Sequence, residues 1–219
     1  NCFAKIALGC QTHIICEVFM RFVVLLGLFL CAAVPARADY VSCSTAQVTR
    51  LQKALLNARN AVSEATIAIA PDNSVYERWF GQWNSGRAAD VHRSLAAIKR
   101  TLDDTVLTVH CMAAGAGSCQ GGVYAYVDRH EAFNIYMCRL SFQMPQLSGD
   151  KREAGDSATG TLAGTLVHEL SHFAVVANTD DHAYTQDACM QMARQSPQLA
   201  VRNADSYQYF VENAFLKMQ

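Results

Sequence analysis

Two histidines and a glutamate carry the most specific chemical signal in this 219-residue chain, in the run His168-Glu169-Leu170-Ser171-His172. The run lies inside an apolar stretch, Leu162 to Val176, whose composition suits a helix. Helical spacing of four residues puts both imidazoles on one face, where two neutral nitrogens can meet one tetrahedral Zn2+ at about 2.0 to 2.1 Å. Glu169 then stands beside the metal, able to take a proton from a bound water. The same five residues also describe two surface histidines on an ordinary helix, so a third ligand has to decide.

Three layouts can be tried on the residues that follow. A metzincin needs Gly at 175 and His at 178, and the chain has Val175 and Asn178, which removes that layout. A gluzincin takes a downstream glutamate, and Glu212 is the only one after Glu169. The remaining layout takes an aspartate. Asp181 lies nine residues past His172, and Tyr184 follows three residues later.

The segment Thr179-Asp180-Asp181-His182-Ala183-Tyr184 behind HExxH resembles the aspzincins, the deuterolysin and peptidyl-Lys metalloendopeptidase family, whose signature is HExxH followed by GTxDxxY. Gly164-Thr165-Leu166-Val167, Trp79-Phe80-Gly81, Tyr136 to Cys138, and Asn203-Ala204-Asp205 with Tyr209-Phe210 are similar to segments of the same family. The resemblance implies one Zn2+ per chain held by His168, His172 and Asp181, with Glu169 as general base. Tyr184 is implied as hydrogen-bond donor to the developing oxyanion. These roles are what hydrolysis of an amide by a metal-activated water requires. A catalytically silent, zinc-stabilised binding module is the alternative of a different class, and retention of Glu169 and Tyr184 argues against it.

Departures from the family pattern are informative. Asn178 and Thr185 stand where the family has, or often has, glycine, and Asn tolerates left-handed backbone better than most residues. Where peptidyl-Lys enzymes place two acidic residues on the substrate lysine, Asp205 matches the first, and Gln208 replaces the expected Glu. A preference for a basic residue after the scissile bond is therefore expected in weakened form. The resemblance also implies disulfides Cys43–Cys111 and Cys119–Cys138, leaving Cys189 as a buried free thiol. Asp180 reads as a solvated acid and His182 as a surface or supporting imidazole. His92, His110 and His130 have no ligand spacing and read as structural.

The elements that must position these residues follow from periodicity. Ser44 to Gln47 reads as a capping box opening a helix through Val48, Leu51, Leu55, Ala58, Val62, Ala65 and Ile69, stopped at Pro71. A second helical stripe runs through Val91, Leu95, Ile98 and Leu102, after an aromatic segment at Tyr76 to Gly81. Val106–Cys111, Val123–Asp128 and Ala132–Cys138 read as short strands of a small antiparallel sheet, and Gln146 to Gly160 as a polar loop before the HExxH helix. The expected fold is α+β, mostly helical and zincin-like, in one domain at 39–219.

Composition narrows the function classes. A formal charge of -1 without basic clusters gives no electrostatic footprint for nucleic acid, so protein or peptide substrates are the expected partners of a monomer. Met20, Arg21, an apolar run of about 13 residues from Phe22 to Val34, and Ala36-Arg37-Ala38 read as a signal peptide behind an upstream extension. That run is short of the roughly 20 residues needed to span a bilayer, so no stable membrane anchor is expected after cleavage. The expected destination is extracellular or periplasmic, where most of the five cysteines after residue 38 would be oxidised, an odd count leaving one over.

Overall fold

The computed structural model describes residues 37–148, 151–153 and 160–217. The signal segment thus lies outside the described residues except for its last two, and Ala38 already sits in a strand. Strand β1 (Ala38–Val41) leads into α1 (Thr45–Ile67), whose N-terminus is closed by the expected capping box: Ser44 N–H donates to Gln47 Oε1 at 2.8 Å and Gln47 N–H to Ser44 Oγ at 3.4 Å. The stripe Leu51, Leu55, Ala58, Val62 and Ala65 is fully buried. Asn73 and Asn84 cap α2 (Ser74–Phe80) and α3 (Ser85–Asp104), accepting the orphan N–H groups of the first turn.

The sheet corrects the expected antiparallel arrangement. Its order is β1-β2-β4-β3, with β2 at Leu107–Cys111, β3 at Ala125–Tyr126 and β4 at Asn134–Met137. Pairs β1/β2 and β2/β4 run parallel, and only β3/β4 is antiparallel. The physical reason is the length of the connections: α1 to α3 intervene between β1 and β2, and the loop with β3 between β2 and β4. Long crossovers permit parallel pairing that a tight hairpin does not. Both implied disulfides are present: Cys43–Cys111 joins the ends of the two parallel strands, and Cys119–Cys138 ties the β2–β3 loop to β4. Within the expected loop after Gln146, Leu147–Ser148 (β5) pairs with Lys151–Arg152 (β6).

The HExxH segment forms α4 (Leu162–His172), nearly all of it buried. Short helices α5 (Gln186–Gln195) and α6 (Pro197–Ala200) follow, then α7 (Ala204–Phe215). An aromatic layer seats α7 on α2: Trp79 stacks on Tyr209, and Phe80 meets Tyr207 and Phe210, each pair at 5.2 Å between centroids. On its other side α7 touches α4. Glu212 Oε1 accepts from Thr161 N at 2.7 Å and Thr161 Oγ1 at 2.9 Å, while Thr161 Oγ1 accepts from Gly164 N at 3.0 Å. A Cβ on Gly164 would lie 1.8 Å from Glu212 Oε1, so only glycine lets the helices come this close.

Gly164→Ala therefore has an expected sign opposite to helix propensity. On an open helix the change would stabilise by about 0.5–1 kcal/mol. Here it should cost about 1–3 kcal/mol, through overpacking against the buried carboxylate. Urea denaturation of the metal-free protein measures it, and a gain in stability would show that α4 and α7 are not this closely packed.

Candidate metal centre

Helix α4 stops at His172 rather than at Val176, because Phe173 turns extended (φ -56°, ψ 130°) and its carbonyl takes the N–H groups of Val176 and Asn178. This reversal brings the next segment back over the histidines. Asn178 adopts φ 51°, in the left-handed region expected of it. Thr179 is buried, its N–H on the Ser171 carbonyl at 3.1 Å and its hydroxyl 2.6 Å from Ser171 Oγ. Asn203 Oδ1 accepts from the N–H groups of His182 and Ala183, each at 2.9 Å. These contacts fix the backbone on both sides of Asp181.

The donor atoms then converge. His168 Nε2 lies 3.1 Å from His172 Nε2 and 3.3 Å from Asp181 Oδ1, and His172 Nε2 lies 3.4 Å from the same oxygen. A tetrahedral ion with bonds of about 2.0–2.1 Å has ligand–ligand edges of roughly 3.3–3.4 Å. Two of the three edges match that figure and the third, between the imidazoles, is slightly shorter at 3.1 Å, so the donor set fits a zinc ion. The far nitrogens are also engaged: His168 Nδ1 is 2.8 Å from Asp205 Oδ1, and His172 Nδ1 donates to the Thr179 carbonyl at 3.0 Å. Such partners set the tautomer that leaves both Nε2 lone pairs facing inward.

Charge around the centre is strongly perturbed. Burial depresses the His168 pKa, but the contact with Asp205 and the carboxylates of Glu169 and Asp181 outweigh it and hold the group at about 9. Glu169, nearly inaccessible and with its carboxylate within 4.8 Å of the imidazole nitrogens, is raised by burial against the pull of both histidines. Asp181 is lowered: burial works against its charge, and the His172 hydrogen bond, both histidines and the Tyr184 hydroxyl prevail. Tyr184 is 60% exposed, and desolvation with the neighbouring Asp181 pushes it up to about 12, so its hydroxyl keeps its proton at neutral pH.

A sequence profile described as lysine-specific metallo-endopeptidase, of the aspzincins, matches residues 65–212. The chain belongs to this family. It is 30% identical over 179 residues to a peptidyl-Lys metalloendopeptidase of Pleurotus ostreatus, covering 80% of this chain and 97% of that protein. An extracellular protease of Aeromonas hydrophila is 32% identical over 174 residues, 78% of this chain and 46% of the relative. A zinc peptidase from Grifola frondosa has the same fold, with TM-score 0.66, 30% identity, and coverage of 78% of this chain and 97% of that one. The chain thus matches under half the length of the Aeromonas protein but nearly all of the Pleurotus enzyme.

Within this aspzincin, the residues expected at the substrate pocket do gather at the centre. Asp205 and Gln208 lie one turn apart on α7 and line a cavity of about 570 Å3 with Glu169, His172 and Tyr184. Asp205 is only 6% exposed, and besides holding His168 it accepts the Thr185 N–H on Oδ2 at 3.1 Å. Glu212, the alternative third ligand, occupies the opposite end of α4 on Thr161. That is seven residues before His168, roughly 10 Å of helical rise. Asp180 is not the solvated acid expected. The Arg129 guanidinium lies 2.5 Å from it, also binds the Thr179 carbonyl at 2.9 Å, and holds the Asp180 pKa low despite some burial.

Arg129 and the Thr179 carbonyl were not legible as site residues, since no local pattern links position 129 to a turn 50 residues later. His110 stacks on Tyr136, His92 and His130 are exposed, and none of the three belongs to the group of His168, Glu169 and His172. Cys189 is free and buried, and desolvation pushes its thiol up to about 12, out of the nucleophilic range. Thr185 has φ 70° and ψ 153°, a region that a β-branched residue enters only under strain. Thr185→Gly should therefore stabilise this aspzincin by about 1 kcal/mol, the relief of strain exceeding the entropy that glycine adds to the unfolded chain. Thr185→Ala, which keeps a Cβ, should give no such gain. Chemical denaturation of the two variants separates the cases, and equal stabilities would remove the strain.

Proposed function

We propose that this aspzincin is a zinc-dependent endopeptidase, a hydrolase of peptide bonds in proteins. The observation that carries the reading is the triangle of His168, His172 and Asp181 donors at the cavity wall, whose edges suit one zinc ion. When bound, zinc would polarise the scissile carbonyl and acidify the attacking water. Glu169, its pKa raised by burial, takes the proton of that water and delivers it to the leaving amine. Tyr184, protonated and exposed at the cavity rim, donates to the carbonyl oxygen as negative charge grows there. A purely structural zinc site would need neither group.

The side chain after the scissile bond enters the cavity of Asp205 and Gln208. Its character is a preference for a basic residue, as the names of the Pleurotus and other peptidyl-Lys relatives suggest. It is weaker than a pocket with two carboxylates would give. Export is supported by the signal-like segment, by two disulfides and by the extracellular Aeromonas relative. No helix of the described residues is long and apolar enough to cross a membrane.

Metal analysis combined with turnover tests the assignment. Glu169→Gln should keep about one zinc per chain and lose nearly all hydrolysis, because the donors are untouched and only the base is gone. Asp181→Ala should lose zinc. Glu212→Ala should keep it while losing stability, since Thr161 and the start of α4 forfeit their acceptor. The reverse pattern between positions 181 and 212 would move the third ligand to the glutamate. Asp205→Asn should lower zinc affinity by about 10- to 100-fold through the misoriented His168.

Selectivity tests the pocket separately. Gln208→Glu should sharpen cleavage before lysine by about tenfold, since a charge-assisted hydrogen bond is worth about 1.5–3 kcal/mol against about 1 for a neutral one. Mapping cleavage sites in a denatured protein mixture reads this directly. An unchanged map would take Gln208 out of the pocket.

A further inference from the structure

Two cavities meet at the metal centre, and the function proposed above uses one of them. The other, of about 740 Å3, shares His172 and Asp181 with the first and extends past Tyr126, Tyr136, Asp128 and Glu131. The chain from Gly121 to Val127 lines the first cavity, and from Tyr126 to Arg129 and on to Glu131 it lines the second. Strand β3 lies between them at the edge of the sheet, paired on one side only, with β4. A peptide extended along this edge passes from one cavity to the other across the metal ligands. If the residue after the scissile bond enters the cavity of Gln208, the residues before it lie over the second.

The floor of the second cavity is built and rigid. Tyr126 stacks on Tyr136 with centroids 4.8 Å apart and planes at 8°, and Tyr136 stacks on His110 at 4.6 Å and 17°. The three rings come from three neighbouring strands in register, His110 opposite Tyr136 opposite Tyr126. Behind them, Gly117 at φ 54° lies so close that a Cβ there would be 2.3 Å from the Tyr126 hydroxyl. The Cys119–Cys138 disulfide holds that loop down.

Both faces of Tyr136 are covered in this stack, and the outer face of Tyr126, on the edge strand, is the tyrosine face left to attract a cation through its quadrupole. The rim adds charge of matching sign: Glu131 and Asp128 are exposed, and neither forms an ion pair with a described basic residue. Tyr136 donates its hydroxyl to Glu131 Oε2 at 3.5 Å, which sets the carboxylate at the edge of the ring stack. Arg129, the one cation lining this cavity, is committed to Asp180 and the Thr179 carbonyl. We infer that this second cavity is the subsite for the residues preceding the scissile bond, and that it selects a lysine or arginine side chain there. The aliphatic stem lies on the outer face of Tyr126 and the cationic head meets Glu131 and Asp128.

This inference rests on the endopeptidase reading for its direction along the substrate, so its test has an arm that needs no turnover. A peptide series would carry Lys, Phe, Ala or Glu at one of the three residues before the scissile bond, all else being equal. Dissociation constants are measured on zinc-loaded Glu169→Gln, and kcat/KM on the parent protein. Lysine should exceed alanine by about tenfold, with glutamate weakest, combining a cation–π contact with exposed charge pairs. Glu131→Gln with Asp128→Asn should cut that ratio to about twofold, and Glu131→Lys should turn the preference towards glutamate. Both positions are exposed, and asparagine keeps the oxygen that accepts the His130 N–H, so the fold is retained. The preference after the bond should respond to Gln208→Glu and not to these changes. A lysine preference that survives the double exchange, or phenylalanine binding as tightly as lysine to the parent, would overturn the inference. A parent that cleaves nothing would sink the endopeptidase reading, while the dissociation constants would still decide the subsite.

Discussion

One face of α7 governs the metal centre. Asp205, Gln208 and Glu212 lie at i, i+3 and i+7 on that helix, a single stripe running alongside α4. At one end Glu212 accepts from Thr161 and so closes the N-terminus of α4. In the middle Gln208 packs on Gly160 and Gly164, where a side chain would collide. At the other end Asp205 meets His168 Nδ1. Two buried carboxylates are costly unless their partners are in place. The register of α7 on α4 is therefore tightly specified, and with it the direction of the His168 ring.

Much of this was visible in residue types and spacing. HExxH, the Asp181–Tyr184 spacing, the capping box at Ser44 and the apolar stripes of α1 and α3 are local patterns, and local geometry decides them. What escaped was non-local. Of the two parallel pairings, β2/β4 replaced an expected antiparallel one and β1/β2 went unforeseen, because strand order depends on what the connections can span, and β1 began inside the segment read as signal. Asp180 looked solvated because its partner Arg129 lies some 50 residues earlier, on a loop that no periodicity connects to it. Asp205 was read through its relation to a substrate lysine, yet its nearest partner is a ligand histidine.

That double position of Asp205 links metal and pocket. The carboxylate that lends the first cavity its negative charge is the same group that orients His168, so evolution cannot alter it for selectivity without disturbing the metal. Gln208 is not placed against a histidine in this way. It is one helical turn further along α7, so an amide in place of a carboxylate there changes the charge of the pocket without touching the Asp205–His168 contact. The difference between this chain and a two-carboxylate pocket falls at the position that does not hold His168.

The strained Thr185 belongs to the same logic. Its N–H is taken by Asp205 Oδ2, so the residue after Tyr184 is tied to the carboxylate that holds the first ligand histidine. The Tyr184 hydroxyl also meets Asp181, the proposed third ligand. A donor to a developing oxyanion must be near the metal yet free to turn, and a residue 60% exposed with its neighbour pinned meets both needs. Backbone strain at 185 is then the local cost of placing that hydroxyl where the two cavities join, beside His172 and Asp181. An extended peptide lying across both cavities would present its carbonyl at this junction, within reach of the metal donors, Glu169 and the phenol together.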